Sequence, residues 1–559
     1  MKIIIIGGVA GGMSAATRLR RLNENAEITV YEQGPHVSFA NCGLPYFVGD
    51  VIEKQSALLL QTPTALWNRF RINVQVASRV TAIHPENRTV EILKVESGES
   101  VSDSYDALII STGAAPRHLN IPGIERALSL RDVPDAVAIK DAVDRLSETT
   151  IGQPTAVILG AGFIGVELAE NLRHRGVAVT LVQSQPTVLA QFDPEMIEPL
   201  QKTLEMNGVE LKLGVRAASI SETSVTLNNG EQLPADLVIS SVGVSPDHHL
   251  AVEAGLRIGA AGGIWVDDQQ RTSDPNIYAV GDAAEKLNFA TGDAQMIWLA
   301  NLANRHGRLV ADVISGEKTA SRPALGTGII GAFGMVAAVT GLTEKAAVAR
   351  GISHAIIHLH PSSHAGYYPG AQHIAMKVLF DPMTGKLLGA QSTGRDGADK
   401  RIDVLATAIF AGLTVNDLMD LELAYSPQYG SAKDAINQVG YVGNNAFSGK
   451  TPNVQWHEVA DLIAGGTQVI DVRTRDEYDV QSIPGSVHIP VDELRERLDE
   501  ISAEGAVVHC RVGQRGHIAA QILHSHGIPA RNLDGGCLTW RAGMDSLERK
   551  HYVSSSPVP

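Results

Sequence analysis

Cysteine is scarce in this 559-residue chain: Cys42, Cys510 and Cys537 are far apart, with no Cys-x-x-Cys pair. That spacing supports neither a disulfide framework nor a zinc site, and a reducing cytoplasm is the simplest setting. Positive charge is also in deficit, with 46 Lys and Arg against 61 Asp and Glu and a net charge of −15. A general nucleic-acid or anionic-membrane binder is therefore not expected, and an anionic ligand must meet a local basic patch. Long apolar runs are few. Residues 324–342 are uncharged and long enough to cross a bilayer, but five glycines break them into short strand-like pieces, so no membrane span is expected. Ile3 to Ile6 read as a buried parallel strand entering a glycine turn, not as a signal peptide. Gly449-Lys450-Thr451 lacks the glycine a phosphate loop needs, because Asn444 stands there. His358 and His360 alternate onto one strand face, but no carboxylate or thiol joins them, so no metal site is expected.

What is present is an α/β pattern long enough for about three to four domains. Ile3–Ile6 turn through Gly7-Gly8-Val9-Ala10-Gly11-Gly12 into a helix expected from about Met13. Gly7 and Gly12 match a dinucleotide fingerprint in which Val9 replaces the middle glycine. Glu32 closes the next strand, where a ribose hydroxyl acceptor belongs. A second fingerprint, Gly160-Ala161-Gly162-Phe163-Ile164-Gly165, has all three glycines, with a helix expected from Val166. The strand that follows ends at Gln183 with no Arg or Lys in the next few residues, so NADH is favoured over NADPH.

The two fingerprints, with Ile110-Ser111-Thr112-Gly113 and Ile277-Tyr278-Ala279-Val280-Gly281-Asp282, resemble the FAD-dependent pyridine nucleotide-disulfide reductase family over residues 1 to about 443. The resemblance implies FAD at Gly7, Val9, Gly12, Glu32, Thr112, Gly113, Gly281 and Asp282, and NADH at Gly160, Gly162, Gly165 and Gln183. Cys42, in Ser38-Phe39-Ala40-Asn41-Cys42-Gly43-Leu44-Pro45-Tyr46, has no partner cysteine nearby. That places it with the single-cysteine branch, which includes coenzyme A disulfide reductases, NADH oxidases, NADH peroxidases and persulfide reductases. A lone thiolate can attack a sulfur–sulfur bond or become a sulfenic acid, and the residues leave both open. The coenzyme A-dependent members further imply coenzyme A contacts at Arg21, Ser38 and Asn41, with Arg69 and Arg71 as further candidate cations. They also imply a homodimer in which Tyr367 and Tyr425 reach the partner's cysteine.

Near the C-terminus, Val469-Ile470-Asp471-Val472-Arg473, Asn532-Leu533-Asp534-Gly535-Gly536 and the loop Cys510-Arg511-Val512-Gly513-Gln514-Arg515-Gly516 resemble the rhodanese family. Successive N–H groups, a helix N-terminus and Arg515 would stabilise a thiolate or persulfide on Cys510. A Cys-x5-Arg loop also resembles protein tyrosine phosphatases, but the flanking segments match rhodaneses. Cys537 reads as a core thiol, with an accessory resolving role as the alternative.

The expected architecture is thus α/β throughout most of the chain. Two doubly wound dinucleotide-binding domains occupy residues 1–120 with 246–322 (FAD) and 121–245 (NAD(P)H). An α+β dimerisation domain (323–443), a linker (444–453) and an α/β rhodanese domain (454–559) follow. The expected activity is NADH-dependent reduction of persulfides or polysulfides, coenzyme A persulfide above all, by Cys42 with release of sulfide. Coenzyme A disulfide reduction, or an NADH oxidase or peroxidase running on a Cys42 sulfenic acid, are the alternatives. No metal is expected.

Overall fold

The computed structural model describes residues 1–555, with side chains as far as Arg549. The chain divides into two compact units: Met1–Leu181 with Ala217–Gly326, and Val182–Arg216 with the chain from Thr327 onward.

In the first unit the strand Lys2–Ile6 lies between Ala107–Ile110 and Glu27–Tyr31. Ile277–Ala279 and Asn73–Gln75 extend this parallel sheet on either side. Its β-branched run is buried on both faces, as a parallel sheet covered by other elements requires. The helix Ala10–Leu22 starts three residues before Met13. Gly11 and Gly12 lie in its first turn, and position 12 must be glycine because a Cβ there would lie 2.0 Å from the Gly7 carbonyl oxygen. The same helix approaches Ala300–Ile314 closely, since a Cβ on Gly307 would meet the Gly11 carbonyl at 2.1 Å. Arg18 Nε bonds Asp312 Oδ1 across that crossing at 2.6 Å.

A second parallel arrangement pairs Thr155–Leu159 with Leu237–Ser240, and the latter with Leu128–Ser129. Its helix again starts earlier than expected, at Phe163, with Gly162 as the N-cap. The strand Ala178–Gln183 ends at Gln183, as expected. Asp132 caps the helix Val133–Thr149 by accepting from the Asp135 N–H at 3.0 Å, while Asp135 returns a bond to the Asp132 N–H.

The second unit contains an antiparallel sheet in the order Gly328–Ala332, Met335–Gly341, Leu387–Gly394, Ile374–Phe380, Ala355–Leu359. Residues 324–342 thus supply two short strands, and no described helix is long and apolar enough to cross a membrane. Residues 444–447 of the expected linker are helical and end Ala435–Phe447. Gly443 lets that helix sit against Val415, whose Cβ a methyl group there would meet at 2.9 Å.

The C-terminal sheet is parallel, in the order Asn453–Val454, Ala530–Leu533, Ala506–His509, Gln468–Asp471, Val487–His488. The helix Gln514–Ser525 follows the loop that leaves Ala506–His509, so Cys510 sits just past a strand end.

Candidate active sites

The first glycine turn is built for close approach of the chain to itself. Gly7 has φ +98°, and a Cβ there would meet the Ser111 carbonyl oxygen at 2.2 Å, so only glycine fits. The opening N–H groups of Ala10–Leu22 have no intrahelical acceptor and face the end of the turn. Val9 is the N-cap. The Glu32 carboxylate accepts from Gly8 N at 2.8 Å and Gly34 N at 2.9 Å. Burial pushes its pKa up, and those two bonds oppose the shift. Gly281 (φ +72°) opens the turn that carries Asp282. Burial pushes that carboxyl up too, against the pull of Lys286 and Arg131. Lys286 is itself buried, donates to the carbonyls of Ala284 (2.8 Å) and Gly281, and is pushed down to about 8 by desolvation. The Thr112 hydroxyl donates to the Asp247 carbonyl at 2.6 Å, and Gly113 O accepts from Asp247 N at 2.9 Å, so this pair also braces a neighbouring segment. A cradle in which Cβ atoms would collide, an open helix N-terminus and a carboxylate at the second strand end together fit the pyrophosphate and ribose of a dinucleotide.

The second turn repeats the design. Gly160 has φ +103° and lies against the Ser241 carbonyl, while a Cβ on Gly165 would meet the Gly160 oxygen at 2.0 Å. A Cβ on Gly162 would meet nothing within 4 Å, which leaves that face open to a ligand. Gln183 closes its strand, and its Oε1 accepts from Ser184 N at 3.2 Å.

Cys42 lies in the short turn Asn41–Gly43 that leads into the helix Leu44–Val48. Asn41 Oδ1 accepts from Cys42 N at 3.1 Å and lies 3.7 Å from the thiol. The residue is exposed, yet protein packed on its inner side still desolvates the thiol. Desolvation, with the charges of Glu167 and Asp282, pushes its pKa up. Glu167 comes from the second fingerprint helix and accepts from the Tyr46 hydroxyl at 3.2 Å. Burial raises Glu167 to about 7. Tyr46 closes the Cys42 motif, but Glu167 is a functional residue the sequence does not mark beyond being an acid two residues after Gly165.

Ser38 adopts a left-handed conformation (φ +49°), with its N–H bonded to Gly8 O at 2.7 Å. Arg21 is exposed at the end of its helix, and no hydrogen bond joins it to Ser38 or Asn41. Its neighbour Arg20 is buried and donates to the carbonyls of Phe70, Asn23, Glu24, Ala26 and Arg71, a structural role. Arg69 and Arg71 are both exposed, and Arg71 lies over the Trp67 ring. In the second unit the hydroxyls of Tyr367 and Tyr425 meet at 2.9 Å.

In the C-terminal domain the Gly513 N–H donates to Cys510 Sγ at 3.2 Å, with Gly513 at φ +94°. Arg515 is not a free cation: it clasps Glu477 through two bonds of 2.6 and 2.7 Å, and that clasp holds the Glu477 carboxyl down at about 2. The absence of carboxylates around His358 also needs correction. His358 Nδ1 lies 2.7 Å from Asp534 and Nε2 lies 3.2 Å from Glu195, both of which reach the strand from distant parts of the sequence. Asp193, Glu195 and Glu344 converge with the spacing of a metal-ligand set, but their centre is filled by Lys377 Nζ at 2.9, 2.5 and 2.5 Å.

A model of the pyridine nucleotide-disulphide oxidoreductases matches residues 1–307, and one of their dimerisation domain matches residues 332–435. The chain belongs to the pyridine nucleotide-disulphide oxidoreductase family. A rhodanese-like domain matches residues 455–543 of this oxidoreductase. A coenzyme A disulfide reductase of Staphylococcus epidermidis is 33% identical over 441 residues, covering 79% of this oxidoreductase and 99% of the relative. The crystal structure of reduced Bacillus anthracis CoADR-RHD superposes with a TM-score of 0.95 at 43% identity, covering 98% of both chains. The NAD-dependent persulfide reductase from A. fulgidus superposes at 0.90 with 34% identity, covering 97% of this chain and all of that one.

Proposed function

We propose that the chain is an NADH-dependent FAD enzyme that reduces sulfur–sulfur bonds, with coenzyme A persulfide as its main substrate. The observation that carries this reading is the joining, in one chain, of a lone Cys42 beside a dinucleotide turn and a Cys510 loop that donates an N–H to its sulfur. The likeness to a persulfide reductase over almost the whole chain supports it.

Gly7, Val9, Gly12, Glu32, Thr112, Gly113, Gly281 and Asp282 would hold FAD, which when bound would supply two-electron transfer between nicotinamide and sulfur. Gly160, Gly162 and Gly165 would hold NADH, and Gln183 would serve as its ribose acceptor. Arg21, Ser38 and Asn41 receive the coenzyme A moiety. The Cys42 thiolate attacks the outer sulfur of coenzyme A persulfide, forming a Cys42 persulfide and releasing coenzyme A thiolate. Two electrons from NADH then release sulfide and restore the thiol, so the sum is NADH, a proton and the persulfide giving NAD⁺, coenzyme A and hydrogen sulfide. Tyr367 and Tyr425 serve the Cys42 of a second subunit as proton donors to the departing thiolate, which makes the enzyme a homodimer. Cys510 carries sulfane sulfur, with Arg515 and Glu477 shaping its loop.

Reduction of coenzyme A disulfide by the same Cys42 chemistry is a second reading, favoured by the 33% identical reductase, which aligns to this chain over 99% of its own length. NADH consumption measured in parallel with coenzyme A persulfide, coenzyme A disulfide, oxygen and peroxide separates the readings. Fastest turnover with the persulfide, matched by sulfide release, is expected. Turnover confined to oxygen or peroxide overturns the proposal.

A further inference from the structure

Behind the Cys510 loop, Cys537 is held against the first thiol's backbone: its N–H donates to the Cys510 carbonyl at 2.9 Å. The Cys537 sulfur lies 3.1 Å from His509 Nδ1. With Nδ1 accepting from the thiol, the ring proton sits on Nε2, which is buried, has no hydrogen-bond partner and faces Asp471 Oδ2 at 3.8 Å. His509 and Asp471 are both fully enclosed. This is the order of groups in a Cys-His-Asp relay. Cys537 also lines a cavity of about 10 Å³ with Arg473, Gln481, Ser482, Ile483 and Trp540, room for about one water-sized atom. Arg473 clasps Asp471 through Nε and Nη2, gives Nη2 also to the Gln481 carbonyl, and makes no hydrogen bond through Nη1 among the described residues. The donor atoms of Asp471, His509 and Cys537 lie within 4.8 Å of one another, but the Arg473 charge beside them opposes a metal cation.

We propose that Cys537 is a second acceptor of sulfane sulfur, loaded from a Cys510 persulfide, with the added sulfur atom lodged in the cavity beside Arg473. The inference rests on the reading of Cys510 as a sulfur carrier. Cys537 gives its proton to His509, and its thiolate attacks the outer sulfur of Cys510. A sulfur–sulfur bond forms on Cys537 as the one on Cys510 breaks. Cys510 leaves as a thiolate and takes the proton back from His509. No net oxidation or reduction occurs, so no further reagent is needed. Burial holds the resting pair neutral, pushing the Cys537 thiol up to about 12 and His509 down to about 4. The persulfide product is a stronger acid than the thiol and is the form that benefits from the Arg473 cation.

The test loads the full-length holoenzyme with inorganic polysulfide in the absence of NADH, traps persulfides by alkylation, and maps them by mass after digestion without reductant. Arg511 and Arg531 place the two cysteines on different tryptic peptides. One extra sulfur is expected on both peptides in the unmodified chain. In Cys537→Ser the sulfur should stay on Cys510, and cyanide-labile sulfur in this domain should fall by about half. In Cys510→Ser the Cys537 peptide should stay bare. A loaded Cys510 beside an unloaded Cys537, a loaded Cys537 in Cys510→Ser, or a disulfide joining the two peptides each overturns the transfer. If Cys510 itself takes up no sulfur, the carrier reading falls and this inference falls with it.

Discussion

The phenol oxygens of Tyr367 and Tyr425 lie 2.9 Å apart although the two residues are 76% and 50% exposed. Two rings that hold hydroxyl to hydroxyl in the open gain little for the fold of the chain that carries them. Tyr425→Phe should therefore leave the melting temperature nearly unchanged, within about 0.5 kcal/mol of stability. It should lower kcat with coenzyme A persulfide by about 100-fold, the low end for loss of a positioned proton donor. An unchanged kcat would assign the pair to surface packing.

Cys42→Ser should keep bound flavin and its reduction by NADH, read from the visible absorbance, while persulfide turnover disappears. Near-normal sulfide release from that variant removes Cys42 from the chemistry.

The raised pKa of Cys42 has Glu167 as one cause, after desolvation. Removing that charge in Glu167→Gln should move the pH midpoint of Cys42 alkylation downward. Because Glu167 itself titrates near 7, the difference from the parent should be largest above neutral pH and vanish in acid, where both side chains are uncharged. A midpoint that stays put or rises contradicts the electrostatic link.

His358 is buried, and burial alone would lower its pKa; the bonds to Asp534 and Glu195 outweigh this and raise it to about 9. A group whose pKa rises on folding contributes fully below its unfolded value of about 6.5 and loses that contribution as pH climbs through about 9. The urea midpoint should fall over this window, by the equivalent of a few kcal/mol. Asp534→Asn should cost about 3 kcal/mol at neutral pH, because it leaves part of a buried charge set uncompensated, and should flatten the pH dependence.

The strand Ala178–Gln183 ends on an uncharged residue, and residues 184–188 include no Arg or Lys. NADH should exceed NADPH in kcat/KM by about 10-fold, equivalent to about 1.4 kcal/mol. Equal values would point to a base that reaches a 2′-phosphate from another segment.

Local chemistry was readable in advance wherever it depends on neighbours in the chain. Gly7 and Gly160 announce their left-handed turns, and Cys510 its anion loop, because each motif is complete within a few residues. The helix starts at Ala10 and Phe163 were placed late, because close approach to a strand, invisible locally, draws the last glycines into the first turn. Pairs made across long sequence separations were not legible. Tyr46 and Glu167 stand 121 residues apart, His358 and Asp534 176, and Arg515 and Glu477 38, so each needs the tertiary arrangement to exist first. A periodic pattern shows which face a histidine occupies, not what the chain later folds against it.

Asp534 precedes the double-glycine turn that touches the Cys510 carbonyl, and it receives bonds from the His358 backbone and ring as well as from Asn453 and Gln455. A boundary drawn near residue 453 would separate the two domains in a gene, yet it would leave Asp534 stripped of its His358 partner. The severed piece would expose a carboxylate that lies two residues before Gly536, the glycine packed against the Cys510 carbonyl. Cutting and re-pairing this domain with other reductases therefore carries a penalty beyond the lost tether, and an excised fragment should transfer sulfur more slowly than the same domain in its native setting.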